Sequence, residues 1–385
     1  MGRQTGRYQI TTAYDETVRA FVPHPLPPAD PPLVLDESLA ELHARALAEI
    51  GRLDVAGKMV PSTDWFLYGF VRKEAVITSQ IEGTQATLRD VLTFEATQRS
   101  DRPDDVEEVC NYVEALTFAR RQMADPEGLP LSTRLLCAAH RHLMTGVRGA
   151  DKQPEEIRRS QNWIGGSRPG NARFVPPPPE QVPDALAALD RWLHGDDRLP
   201  PLVRAGLAHV QFETIHPFLD GNGRVGRLLI ALLVEHWGLL GQPLLYLSVA
   251  LKRRQAEYYQ RLAAVRNDGD WEGWTRFFLE CVYAAAGDGV RVAQGLHALF
   301  GRDRRRVLEH DGVTVAAIQL FDQLPTHPMV TVGRAADVLG LSAPPARKAI
   351  EVLERLGILR ETTGKRRDRV YAYQAYLELL MEDAE

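Results

Sequence analysis

Along most of the chain, apolar residues recur every three or four positions between short breaks rich in glycine, proline and polar residues, a spacing that predicts a mainly α-helical protein. Leu39, Leu42, Leu47 and Ile50 open this pattern after the proline-rich VPHPLPPADPPLVLDE, and it persists to about residue 120. One interruption differs in kind. In NWIGGSRPGNARFVPPPP, β-prone residues flank glycines and an asparagine, which predicts a small hairpin that the prolines stop. After LFGRDRRRVLEHDG the elements become short: a helix over 330–339, a turn and cap at Leu341 and Ser342, and a second helix over 346–356 stopped by Gly357. Strands over 358–360 and 369–373 then flank a tip at 364–367, completing the pattern of a winged helix. The expected organisation is an N-terminal helical region (1–110), a helical core carrying the hairpin (111–300) and a winged-helix domain (310–385).

Composition narrows the partners. Across 385 residues, 46 basic and 51 acidic side chains give a net charge of −5, so no global basic field attracts nucleic acid. From Arg347 to Arg369 the balance reverses, with a local surplus of four positive charges, and the winged helix is expected to bind DNA or a protein. Cys110, Cys137 and Cys281 are scattered without metal or disulfide spacing, as expected in a reducing compartment. MGRQTGRYQI has no apolar signal core and the apolar run at 228–234 is too short to span a bilayer, so the expected location is cytoplasmic, without a membrane role.

The densest chemistry lies in HPFLDGNGRVGR, residues 216–227, which runs straight into LLIALLVEHW. Gly221, Asn222 and Gly223 precede a helix expected to begin near Arg224, where unpaired backbone N–H groups and the positive end of the helix dipole favour an anion. Arg224 and Arg227 share one face of the first turns, although cations there cost roughly 0.3–1 kcal/mol each. A polyphosphate offsets that cost, because guanidinium forks bind phosphate oxygens. Asp220 adds a hard oxygen ligand for the Mg²⁺ or Mn²⁺ such a ligand carries, and His216 is a base of near-neutral pKa beside the phosphates. His140, His142 and His209 lack carboxylate or cysteine partners at metal spacing and read as core or surface histidines.

This segment matches H-P-F-x-[DE]-G-N-G-R-x-x-R and is similar to the Fic family motif at every fixed position. The similarity extends through SQNWIGG, FVPPPP, LLYLSVALKRRQAEYYQRL and GDWEGWTRFFLE. The resemblance implies a protein adenylyltransferase that moves AMP from ATP to a Ser, Thr or Tyr hydroxyl of a target protein and of itself. His216 would then deprotonate the hydroxyl, Asp220 hold the metal, and Gly221, Asn222, Gly223, Arg224 and Arg227 cradle the phosphates. The hairpin would be the flap that pairs with an extended target segment, with Ile164, Gly165 and Gly166 on the nucleotide side and Phe174 clamping the target. Tyr258 and Tyr259 are candidates for the adenine and ribose end. One departure stands out: related sequences often read P-G-E before the flap, whereas Pro154 here is followed by Glu155 and Glu156.

Upstream, T-S-Q-I-E-G resembles the inhibitory helix of Fic proteins, [ST]-x-x-x-E-[GN]. Ile77 and Ile81 mark a buried helical face, Gly83 ends the helix, and Glu82 falls at the negative end of its dipole. The implied partner is Arg227, withheld from the γ-phosphate. Glu82 equally suits removal of AMP from a modified protein. Phosphate transfer by a Doc-like relative is disfavoured by Asn222, where those toxins generally carry Lys. A DNA-binding regulator with an ATP-sensing core is disfavoured by His216, since a sensor needs no base. A homodimer is compatible with these readings.

Overall fold

A computed structural model describes residues 3–59, 63–147 and 152–382. In chain order the elements are β1 (Gly6–Ala13), β2 (Glu16–Pro23), α1 (Glu37–Met59), α2 (Thr63–Ile81), α3 (Leu88–Thr97), α4 (Pro103–Ala124), α5 (Thr133–Leu143) and α6 (Val182–His194). Then follow α7 (Pro201–Ile215), α8 (Asn222–His236), α9 (Leu247–Arg253), α10 (Gln255–Asp268), α11 (Trp271–Leu308) and α12 (Val315–Gln323). The last are β3 (Met329–Val330), α13 (Val332–Leu339), α14 (Ala343–Arg355), β4 (Arg360–Glu361), β5 (Tyr371–Ala372) and α15 (Gln374–Met381). The mainly α reading therefore holds, with one exception near the start.

That exception is β1–β2, an antiparallel pair in the region expected to be helical. Its alternation is legible once located: Val18 and Ala20 are buried while Thr17 and Arg19 are exposed, a two-residue period. Tyr14 and Asp15 close it with φ of 51° and 62°, the left-handed pair that a two-residue hairpin turn requires.

The chain forms two compact units that do not follow three consecutive segments. The first comprises residues to 51, 111–243 and 250–285. Its axis is α7, buried from Leu202 through Ile215, packed along α8 and flanked by α6. A helix buried on every side, its polar Arg204, His209, Gln211 and Glu213 included, has no solvent face, so α7 is the element around which the others assemble. Trp274 of α11 is fully buried there and donates Nε1–H to the Gly206 carbonyl. A Cβ at Gly206 would stand 2.8 Å from the Phe278 ring, so only glycine permits this approach.

The second unit comprises 52–110, 244–249 and residues from 286 on. In it α12, α13 and α14 pack together beside the antiparallel sheet β3–β5–β4. Thr331 caps α13 by accepting the Arg334 N–H, Gly340 ends it with φ +62°, and Pro344 lies in the first turn of α14. The second helix thus begins three residues earlier than the spacing predicted. This module shares its unit with α2 and α3: α15 packs on α2, and Tyr376 Oη donates to the Trp65 and Pro325 carbonyls. Ile77 and Ile81 of α2 are buried as expected. Glu82 follows in an exposed turn, its N–H donating to the Ser79 carbonyl, and Gly83 takes φ +101°.

Candidate active site

Helix α7 cannot continue past Ile215, because the residue before a proline is excluded from the helical region. His216 instead takes φ 50°, ψ 63°, a left-handed conformation that costs a non-glycine residue roughly 1–2 kcal/mol. Its N–H still closes the helix on the Phe212 carbonyl, and its own carbonyl accepts Arg158 Nε–H at 2.8 Å. The side chain is 15% exposed, with Nδ1 3.3 Å from the Glu213 carbonyl and 3.9 Å from Glu213 Oε2. A carbonyl only accepts, so Nδ1 carries the proton and Nε2 is the basic nitrogen. The Glu213 carboxylate then lies where it stabilises the imidazolium formed on proton uptake.

Five residues on, Gly221 takes φ +74° and starts α8 at Asn222. A Cβ at Gly221 would stand 3.1 Å from Met144 Sδ and 3.3 Å from the His140 ring, so conformation and space both require glycine. Asn222 is buried and binds the loop to itself: Oδ1 accepts the Phe218 N–H and Nδ2 donates to the Phe218 carbonyl, each at 2.8 Å. Its side chain is therefore a brace for the loop. In general the opening N–H groups of a helix have no partner within the helix and favour an anion. Arg224 and Arg227 are both buried, unlike the solvated cations of an ordinary surface helix.

Asp220 is 44% exposed; its Oδ1 accepts the Gly221 N–H at 2.6 Å and lies 3.8 Å from Arg224 Nη2. Among the described residues no group of three or more His, Cys, Asp or Glu could hold a metal ion. A lone accessible carboxylate fits a divalent cation that arrives already coordinated by phosphates.

Two supports for this loop were not singled out as functional by sequence. His140 stacks on Phe218 with centroids 3.9 Å apart, and its Nε2–H donates to the Asp220 carbonyl while Nδ1 accepts the Glu155 N–H. Burial pushes its pKa down to about 4, so the ring that shapes the loop is neutral. Arg158 is also buried and spreads its donors over the carbonyls of His216, Ser160, Pro177 and Ile215. It fastens the His216 turn to both roots of the flap. Its position in EEIRRSQNW, just before the flap, was the available signal. Glu155 accounts for the departure from P-G-E: it adopts φ 72°, the conformation a glycine would take, held by its N–H to His140 and an ion pair to Arg141.

The flap is narrower than a two-stranded hairpin. It closes through one antiparallel bridge, Ile164 with Phe174, around a short 3₁₀ turn at Pro169–Asn171. Asn162 Nδ2 donates to the Phe218 and Leu219 carbonyls, tying the flap to the motif loop. Ile164, Gly165 and Gly166 are exposed, and both glycines are left-handed. Phe174 is not exposed for clamping: it is buried, 6.4 Å from the Phe21 ring, with the Arg266 guanidinium 4.1 Å above its face. Tyr258 is likewise a core residue, 1% exposed, its Oη donating to His209 Nε2 while His209 Nδ1–H donates to the Gly226 carbonyl. Tyr259 is 47% exposed, so of the pair only Tyr259 presents an accessible ring. Glu82 belongs to the second unit and the motif to the first.

Fold and site define a mainly helical protein in which a partly exposed histidine stands beside the start of a buried helix. Residues 40–121 match the Fic/DOC family N-terminal model and residues 130–234 the Fic/DOC family model, so the chain carries both of these Fic-family domains. It is similar to Protein adenylyltransferase Fic of Drosophila erecta, 27% identical over 206 residues, and of Drosophila grimshawi, 28% identical over 206. Each match covers 52% of this chain, and 38% and 39% of those proteins respectively. Among solved structures, a Fic family protein from Desulfovibrio desulfuricans superposes with TM-score 0.57 at 23% identity, over 89% of this chain and 98% of that one. A Fic domain containing signaling protein from Bacteroides thetaiotaomicron gives 0.53 at 17% identity, over 66% and 97%.

Proposed function

We propose that the protein is a Mg²⁺·ATP-dependent protein adenylyltransferase acting on a hydroxyl of an extended target segment and on itself. The observation that carries this reading is the left-handed His216 turn, whose Nδ1 is engaged by Glu213 so that Nε2 serves as base beside the start of α8. In the proposed step the hydroxyl oxygen attacks the α-phosphorus, its proton passes to His216 Nε2, and the bond to the β-phosphate breaks to release pyrophosphate. Arg224, Arg227 and the first N–H groups of α8 offset the charge on the phosphates, and Mn²⁺ or Mg²⁺ beside Asp220 supplies further neutralisation. Tyr259 offers an aromatic face for the base.

Glu82 is proposed to restrain this activity through Arg227, a reading that rests on the T-S-Q-I-E-G stretch; hydrolytic removal of AMP is the alternative use of the same glutamate. The C-terminal module reads as a winged helix, and its exposed Lys365, Arg366, Arg367 and Arg369 suit duplex DNA as partner. Intact-mass measurement after incubation with Mg·ATP tests the central reading: a gain of about 329 Da marks AMP and about 80 Da phosphate, the formula masses of the groups moved. His216→Ala should abolish the gain while nucleotide binding persists, slowing transfer by about 10²-fold or more. Undiminished transfer in that variant removes the mechanism.

A further inference from the structure

The N-terminal hairpin lies outside both family-matched regions, yet it is built onto the flap. Its inward face, Ala13, Val18 and Ala20, forms a buried cluster with Val175, closed by Trp163 and Ala172. The Phe21 N–H of β2 donates to the Val175 carbonyl at 2.9 Å, so β2 occupies the flap's Phe174–Val175 edge. At the far end the Glu16 carboxylate accepts Arg168 Nη1–H at 2.7 Å and the Gly170 N–H at 2.8 Å, pinning the 3₁₀ turn at the flap tip. Tyr14 meets the Trp163 ring edge-on at 5.4 Å.

The hairpin is itself anchored. Arg3 forms a two-pronged ion pair with Glu272, and Thr5 Oγ1 donates to the Val265 carbonyl. Within the flap, the N–H and C=O of Ile164 both point at Phe174. The other side of the Ile164–Phe174 bridge is the 163–165 edge, exposed at Ile164 and Gly165, where the Trp163 N–H is held by Asn162 Oδ1 and Gly165 turns left-handed.

We propose that the N-terminal hairpin is a fixed outer strand pair of the flap, with Glu16 as a positioning residue, and that the extended target segment adds only along the Trp163–Gly165 edge. This rests on the adenylyltransferase reading for its functional half alone. A strand-adding flap with two open edges would accept a segment on either side and in either direction. Sealing one edge fixes the side on which the hydroxyl arrives. Holding the tip spares the flap the entropy of ordering when a target binds.

The test uses the full chain in a Glu82→Gly background, comparing Glu16→Ala with the charge swap Glu16→Arg/Arg168→Glu. Hydrogen exchange without nucleotide should rise about tenfold at Gly170, Ile164 and Phe174 in Glu16→Ala, as expected when an anchored turn opens. The swap should restore protection at Ile164 and Phe174. With Mg·ATP, AMP incorporated into the chain should show kcat about tenfold lower in Glu16→Ala with an unchanged KM for ATP, because Glu16 holds the flap tip at Arg168 and Gly170 and not the expected nucleotide side at 164–166. Unchanged exchange in Glu16→Ala overturns the proposal, as does raised exchange with unchanged kcat. If the Glu82→Gly parent incorporates no AMP, the transfer reading fails, and the exchange measurement by itself decides whether the hairpin anchors the flap.

Discussion

Three histidines separated by fewer than eighty residues take three roles because their surroundings differ. His216 sits at a rim with a carboxylate behind it, whereas His140 and His209 are enclosed and each is bonded at both ring nitrogens. Burial pushes these two down to about 4 and about 3, below the ordinary 6.5. A native state that refuses protons the unfolded chain accepts is most stable above pH 6.5. It loses stability as the pH falls, until the folded values are reached. We expect the urea midpoint to fall between pH 6.5 and 4, with His140 contributing at most about 3 kcal/mol. His140→Gln, which can keep a donor and an acceptor, should flatten that decline. An equal slope in both proteins would show that His140 titrates normally.

At the scale of elements, the two stretches proposed to act on ATP are helix ends. The turn after α7 positions His216, and the turn after α2 presents Glu82, where a carboxylate faces the negative end of its own helix. Glu82→Gly is expected to raise self-modification by about tenfold or more without a comparable gain in ATP affinity, since orientation of the γ-phosphate is what the proposed pairing controls. Adding Arg227→Ala should erase the gain. An equal rise with and without Arg227, measured as AMP incorporated per chain, would return Glu82 to the role of a solvated helix end.

Across the whole molecule, the C-terminal module is not an appendage to be cut at residue 310. It shares a compact unit with residues 52–110, where a Cβ at Gly69 of α2 would stand 2.8 Å from Leu380 and 3.0 Å from Tyr376 Oη of α15. Removing everything beyond 310 uncovers the face of α2 that α15 covers, at Trp65, Phe66 and Gly69. The truncated chain should aggregate or melt well below the full chain in thermal unfolding and size-exclusion measurements. Gly69→Ala, a milder probe of the same contact, should cost roughly 1–3 kcal/mol by overpacking. A truncated chain that is monomeric and melts like the intact protein would restore the module's independence.

Local chemistry wrote itself into the sequence wherever a short segment had to contain its own solution. Gly221 beside Asn222, the His216–Pro217 stop, the glycines of the flap and the capped helices of the C-terminal module are legible because their φ values and hydrogen bonds involve near neighbours. The β1–β2 hairpin was not, since its exposed Tyr8 and Ile10 blur the alternation and its buried face is completed by Val175 and Trp163, over a hundred residues away. Separation in sequence likewise hid Arg158 and His140, 58 and 80 residues from the backbone carbonyls of His216 and Asp220 that they hold and that carry no side-chain signal. It also misassigned Phe174 and Tyr258, aromatic residues whose type suits a ligand or a core equally. Only the packing of Phe21, Arg266 and His209 around them decided that they are core. The sequence by itself determined the helices, the motif loop and its charge; tertiary structure decided which groups brace that loop and which edge of the flap is left open, because both depend on chain segments that meet only on folding.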